Sequence, residues 1–507
     1  MGIKLFLLII FFAVMVGVGF YSRRHVKSVD GFVLGGRSVG PWLTAFAYGT
    51  SYFSAVVFVG YAGQFGWKYG IASTWIGIGN ALIGSLLAWV VLGRRTKVMT
   101  QHLRAKTMPD FFGQRYGSKA LKIVASVIVF VFLIPYTASV YNGLSRLFGM
   151  AFNIPYTWCV IAMAVFTAIY VILGGYMATA INDFIQGIIM LFGIVAVIAS
   201  VLNGQGGFME AVSKMAQIPS DVPATMGQPG AFTSFFGPDP LNLLGVVILT
   251  SLGTWGLPQM IGKFYAIKDE KSINTGTVIS TLFAIVISGG CYFLGGFGRL
   301  FDSAEIYNAE TGAVVYDSII PSMLSKLPDI LIGIVVVLVL SASMSTLSSL
   351  VLTSSSTMTL DLLKDNIMKE MSEKKQIITM QILIVFFIVV SVVIALDPPT
   401  FIAQLMGISW GALAGAFLAP FLYGLYWKGV TRAGVWAGFI AGVGITVSNM
   451  FIGYIASPIN AGAVAMVAGL VIVPLVSLVT PKLKKEDVDE IFTCYEEKVV
   501  STKKRNL

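Results

Sequence analysis

Apolar runs of about 20 residues recur along nearly the whole chain, and no other feature limits its fold so strongly. That length lets an α-helix cross about 30 Å of hydrocarbon, whereas a membrane-spanning strand needs about 10 residues of alternating character. Lipid offers no partner to backbone N–H and C=O groups, so only helices or a closed barrel can cross it. Composition agrees with the helical choice. Of 507 residues, 56% are hydrophobic and 11% charged, with a mean hydropathy of +0.83; a soluble chain carries roughly a quarter charged residues. The expected fold class is an all-α polytopic membrane protein.

The runs place thirteen spans, at about 3–22, 41–63, 71–92, 121–147, 156–177, 183–203, 240–263, 276–298, 329–357, 376–396, 400–427, 433–454 and 460–480. Loops after odd-numbered spans, with the C-terminal tail, collect about 28 of the 34 basic residues. Positive loops stay cytoplasmic, which puts the N-terminus outside and the C-terminus inside. Lys97, His102 and Lys263 are assigned to those loops, as is His25. The net charge of +10 then faces the anionic inner leaflet and does not point to nucleic acid. The first run, Ile3 to Tyr21, lacks a basic start and a small-residue cleavage site and reads as a retained span. Cys159, Cys291 and Cys494 show no metal or redox spacing. Two long outer loops, Gly204 to Asp239 and Arg299 to Leu327, read as partly structured caps. The tail from Pro481 reads as a solvated amphipathic end.

Two spans look breakable. "AFAYGTSYFSAVVFVG" has Gly49 among Tyr48, Thr50, Ser51, Tyr52 and Ser54. "LTSLGTWGLPQMIGKF" has Gly253, Gly256, Pro258 and Gly262, and Pro258 removes a backbone donor, freeing a carbonyl about one turn back. Glycine and proline are common in membrane helices, and either break alone reads as packing. The two lie five spans apart, which suits two five-span repeats, spans 2–6 and 7–11, with inverted topology. Discontinuous helices at matching repeat positions mark transporter binding sites.

Between Leu338 and Met358 the chain places eleven hydroxyls inside an apolar run. Ala342, Ser345 and Thr346 fall at i, i+3 and i+4, on one helix face, and Ser348 and Ser349 continue it. Taken singly, a membrane serine usually bonds its own helix or serves close packing. A dense row facing a broken helix offers instead what a hard cation needs, several oxygens together. Asp183, opening the sixth span in "YMATAINDFIQG", is a functional pointer by its depth or an acid welcomed by a helix N-terminus.

These segments carry a resemblance. "FVLGGRSVGPWLTAFAYGTSYFSA", "LGGYMATAINDFIQG", "GLPQMIGKFYAIKDEKS" and "SASMSTLSS" resemble the sodium:solute symporter family, nearest its proline and pantothenate branches, over spans 1 to 12. The resemblance implies thirteen helices with a five-plus-five inverted-repeat (LeuT-like) core and sodium-driven alternating access. It divides the chain into 1–40 (first helix and cytoplasmic loop), 41–203 (first repeat) and 204–239 (outer loop). Then come 240–427 (second repeat), 428–480 (two peripheral helices) and 481–507 (tail). It implies a sodium site from the carbonyls of Thr50, Phe53 and Ala342 and the hydroxyls of Ser345 and Thr346. Some members hold a second sodium, and Asp183, Ser345, Ser348 and Ser349 stand in those places. Arg37 matches a cytoplasmic arginine tied to gating or coupling.

For the solute, the family geometry points to Ser51, Tyr52, Ser54, Tyr136, Thr254, Trp255, Gln259 and Gln404, with Trp75 and Asn80 behind them. Two departures bear on its identity. Tyr52 stands where the proline branch has aspartate and the sugar branch asparagine. Thr250 and Thr254 stand where the proline branch has an aromatic pair. With no unpaired charge read in this pocket, a small neutral or zwitterionic solute or a monocarboxylate is expected, imported across the plasma membrane by the chain as a monomer. A proton-coupled carrier of the same fold needs a titratable central group, and only Asp183 and phenols are in view. A channel needs filter or charged rings, which do not appear. "GLPQMIGKF" fails as a phosphate loop, because Phe264 replaces Ser/Thr and five residues separate the glycines. No enzyme is expected.

Overall fold

The computed structural model describes residues 2–23 and 27–496. Arg24, His25 and the tail's Lys498, Lys503, Lys504 and Arg505 lie outside the described residues. Eleven helices among those described are long and apolar enough to cross a bilayer by length and composition. Strand-type pairing there is limited to isolated bridges, Val39 with Ile267 and Tyr307 with Val314.

Two of the eleven are too long for one crossing. Val56–His102 has 47 residues and Tyr156–Gly204 has 49, about 70 Å at 1.5 Å per residue. Each is interrupted at a glycine, Gly70 (φ 60°, ψ −142°) and Gly175 (φ 53°, ψ −147°), in backbone that side chains with a Cβ avoid. A Cβ on Gly70 would also lie 2.2 Å from the carbonyl oxygen of Phe232.

High apolarity does not require burial in protein. Gly2–Ser22 has mean hydropathy 2.7 and is 22% buried; Ile402–Tyr426 has 1.7 and is 89% buried. An outer helix need only be greasy, whereas inner helices use small and hydroxyl residues to approach one another. The serine-rich helix Asp329–Thr357 is such an inner element, with Ser341 to Ser349 all buried.

Where the two long loops lie, they form ordered caps. Arg299 pairs with Asp221 at 2.7 Å and lies over the rings of Trp67 and Phe232, joining the two long loops. The outer half of the first broken span packs tightly beneath them. A Cβ on Gly60 would sit 2.7 Å from Ile402, and one on Gly63 would sit 2.9 Å from the Tyr316 carbonyl oxygen. Asp317 accepts from the N–H of Ile402 at 3.2 Å, which fixes that loop to the start of Ile402–Tyr426.

The end of the molecule opposite the long loops corrects three expectations. Lys97 and Lys263 are not loop residues: they are 0% and 3% exposed. Both sit on helices that continue past the expected span ends, because Arg94–His102 extends one and Pro258–Ala266 the other. His102 is accordingly the last residue of a helix. The tail is not simply solvated. Lys485–Phe492 docks through buried Val488, with buried Cys494 in the turn that follows, and through Lys428–Asp489 at 2.6 Å, since its apolar stripe needs cover.

Candidate cation and solute site

The first interruption falls at Phe53–Ser54. Pro41–Tyr52 ends at Phe53, whose φ/ψ of −107°/103° is extended, and helical structure resumes at Ala55. The break lies inside the expected polar patch, but Gly49 is still wound, and its carbonyl accepts from the Phe53 N–H at 3.2 Å. Its lack of a side chain serves packing, since a Cβ there would lie 2.4 Å from the Phe283 ring.

A helix end leaves its last carbonyls without partners in the helix and concentrates the negative end of the dipole there. The serine-rich helix meets these carbonyls. Ser345 Oγ lies 3.0 Å from the carbonyl oxygens of both Thr50 and Ala342. Thr346 Oγ1 lies 3.3 Å from that of Thr50, 3.4 Å from that of Ser51 and 3.1 Å from that of Ala342. Five oxygens converge, three from backbone and two from hydroxyls, on residues no more than 2% exposed. A hard cation holding oxygens at about 2.4 Å in an octahedral shell keeps neighbouring oxygens about 3.4 Å apart. The arrangement can therefore replace the water around a small monovalent cation with little movement. The carbonyl of Ser51 takes part where that of Phe53 was expected: among the described residues neither hydroxyl contacts Phe53.

Ser348 and Ser349 part ways. Ser348 Oγ donates to the carbonyl of Ser345 at 2.9 Å, back onto its own helix. Ser349 Oγ lies 2.8 Å from Ser51 Oγ and accepts from Lys263 Nζ at 2.9 Å. Lys263 Nζ also stands 3.8 Å from Asp183 Oδ2 and 5.2 Å from the centre of the Tyr176 ring. Asp183 follows the Gly175 break by eight residues, about two turns, so the first-turn dipole does not account for it. It is 0% exposed, and neither carboxylate oxygen accepts a hydrogen bond among the described residues.

The second interruption spans residues 254–257, between Pro240–Gly253 and Pro258–Ala266. Pro258 is the first residue of the resumed helix, where a missing N–H costs nothing. The polar residues here bond to a neighbouring helix. Thr254 Oγ1 donates to the carbonyl of Gly84 at 3.0 Å, and Trp255 Nε1 to that of Ile83 at 2.9 Å. Tyr52 ties the end of Pro41–Tyr52 to the last turn of Pro240–Gly253, its hydroxyl donating to the carbonyl of Thr250.

The expected solute residues thus divide. Tyr52 and Tyr136 both approach Trp410, with ring centres 5.9 Å away in each case. The Tyr136 hydroxyl and Trp410 Nε1 are buried and face each other, with Ser54 close by, without a well-formed hydrogen bond among the described residues. Ser54 Oγ accepts from the N–H of Val56 at 3.1 Å, capping the resumed helix. Thr254 and Trp255 are held as described. Gln404 is bonded to Thr400 one turn away, Asn80 to Ser288 and Ser251, and Trp75 to the Phe235 carbonyl in an exposed bond. Gln259 is buried with both amide atoms unpartnered. With Lys263, Tyr176, Ser349 and Ser356 it lines a cleft reaching Lys106 and Thr107. The cleft offers about 40 Å³, room for a water or two but not for a solute.

Arg37 takes a left-handed backbone, φ 53°, and donates to the carbonyls of Ala105 at 2.5 Å and Tyr265 at 3.4 Å. Beside it, Val39 and residues 266–268 exchange backbone bonds. Arg37 therefore ties the start of the first broken span to the end of the second.

A model of the sodium:solute symporter family matches residues 32–442. The chain belongs to the sodium:solute symporter family. Its relatives include the sodium/proline symporter of Staphylococcus aureus, 30% identical over 496 residues, 94% of this chain and 92% of that protein. Among solved structures, a Na+-coupled sialic acid symporter in a substrate-bound outward-open state shares the fold, with TM-score 0.74 over 95% of this chain and 99% of the other at 16% identity. A nucleobase-cation-symport-1 family transporter in a closed conformation, with bromovinylhydantoin bound, aligns at TM-score 0.53 over 91% and 98% at 12% identity. Like its family, this symporter moves a solute across a membrane together with sodium.

Sequence reasoning missed three members of the site. Lys263 was assigned to a loop, although a helix restarting at Pro258 carries it more than a turn into the protein. The Ser51 carbonyl was overlooked because the residue was read for its hydroxyl. Trp410 gave no signal apart from its place in a span.

Proposed function

We propose that this symporter imports a small organic solute, neutral, zwitterionic or a monocarboxylate, across the plasma membrane. An amino acid, a vitamin-like acid or a monocarboxylate fits. Sodium at the Thr50, Ser51, Ala342, Ser345 and Thr346 oxygens drives the import. The observation that carries the reading is the convergence of those five oxygens at the broken end of Pro41–Tyr52. The ion draws the loose helix end onto the serine-rich helix, and the carbonyl of Phe53, one residue into the break, is the sixth donor within reach of a small rotation.

The solute lies against Tyr52, Tyr136 and Trp410, between the two interruptions. A carboxylate on it meets the N-terminus of Pro258–Ala266, where the Gln259 amide is unpartnered and half-helix N-termini attract anions. The 30% identity to a sodium/proline symporter supports an amino acid or a similarly sized acid. The thirteen-crossing count follows if Gly70 and Gly175 each divide a long helix into two, with the N-terminus outside, the C-terminus cytoplasmic and two inverted repeats at 41–203 and 240–427. Arg37 acts as a rivet within the moving pair of broken helices, so its loss would uncouple their motion. The chain works as a monomer.

The test is uptake into proteoliposomes with imposed sodium or proton gradients, using proline, pantothenate and short monocarboxylates as solutes. Accumulation that follows the sodium gradient is expected for one solute class. Uptake indifferent to sodium and driven by protons would remove the reading.

A further inference from the structure

We infer that the Lys263 ammonium is a built-in cation at the place a second sodium would take, so that this symporter couples one sodium, not two, to each solute. The inference rests on the sodium reading of the five-oxygen cluster given above. Asp183, Ser348 and Ser349 offer a carboxylate and hydroxyls, a donor set that would suit a second hard cation. The ammonium already holds that ground: Ser349 Oγ at 2.9 Å, Asp183 Oδ2 at 3.8 Å and the Tyr176 ring beneath it. It comes from Pro258–Ala266, the resumed half of the second interruption, so the two broken helices deliver one cation each to the same stretch of the serine-rich helix.

Charge balance favours one occupant. A buried carboxylate needs a counter-charge, and Lys263 is the cation that the described structure gives Asp183. The other polar groups around the ammonium, Gln259, Tyr176 and Ser349, are neutral, and Lys106 lies farther out along the cleft. A sodium ion about 4 Å from the ammonium would meet a repulsion that weakens binding roughly 1000-fold at an effective dielectric of about 20. The tether also links the cation positions. Lys263 bonds Ser349, Ser349 bonds Ser51, and the Ser51 carbonyl belongs to the sodium cluster.

Equilibrium binding of radioactive sodium to the purified full-length symporter counts the ions. About one per chain is expected for the wild type and for Lys263→Arg. About two are expected for Lys263→Ala, falling back to about one in Lys263→Ala/Asp183→Asn. Two ions in the wild type would overturn the inference, and that count does not depend on any variant folding. A Lys263→Ala protein that melts near the wild-type temperature but still binds one ion would overturn it too. Selective loss of affinity for carboxylate-bearing solutes at an unchanged count of one would give Lys263 to the solute instead. No sodium bound by the wild type would refute the five-oxygen site itself, a different failure from these.

Discussion

The two interruptions read alike in sequence, each a polar and glycine-rich patch at mid-depth, yet their loose ends are used differently. At residues 53–54 the freed carbonyls of Thr50 and Ser51 are met by hydroxyls of the serine-rich helix. At 254–257 the side chains of Thr254 and Trp255 are spent on carbonyls of the helix that carries Ile83 and Gly84. One break opens its backbone to a cation, while the other fastens itself to a neighbour and sends Lys263 inward from its resumed half. Glycine and proline say where a helix can come undone; the element lying opposite decides what the undone ends do.

Substitutions can separate the two. The largest effect is expected for Ser345→Ala combined with Thr346→Ala. Each removes one contact to the ion, worth about 1.5–3 kcal/mol for a charged partner. The sodium concentration for half-maximal solute binding should rise at least ~100-fold. Gly49→Ala comes next. Its methyl would press on the Phe283 ring and cost about 1–3 kcal/mol as overpacking, lowering the melting temperature and raising the sodium requirement together, because the helix end that presents Thr50 must shift.

Trp255→Phe should behave otherwise. It loses one hydrogen bond, about 1 kcal/mol, so the melting temperature falls slightly while the sodium requirement stays within about twofold. A large sodium effect here would erase the contrast between the interruptions. The smallest change is expected for Ser356→Ala. Ser356 Oγ bonds its own helix at the carbonyl of Thr353, and such local bonds are nearly neutral in a membrane helix. Sodium titrations of solute binding should superpose on the wild type.

Much of this architecture could be read from the chain. Helix positions follow from the length of the apolar runs, because lipid leaves the backbone no alternative. The i, i+3, i+4 placement of Ala342, Ser345 and Thr346 puts them on one face before any coordinates are known, and the structure brings that face to Thr50. The break at 53–54 falls within the polar patch read as breakable, while Gly49, inside the same patch, serves close packing against Phe283. Lys263 was lost to the rule that lysines near span ends belong to cytoplasmic loops; that rule cannot see a helix restarting at Pro258. Thr254, Trp255 and Gln404 are expected at the solute from the family geometry around the breaks. Their partners, Gly84, Ile83 and Thr400, satisfy them locally, and for the first two the partner lies some 170 residues away in the chain.

The most direct measurement is a pair of experimental structures of this symporter, one in saturating sodium and one in choline. The account predicts a sodium-dependent density at about 2.4 Å from the carbonyl oxygens of Thr50, Ser51 and Ala342 and the hydroxyls of Ser345 and Thr346. Density that avoids these oxygens, or hydroxyls of Ser345 and Thr346 turned away from the 50–53 backbone in sodium, would contradict it.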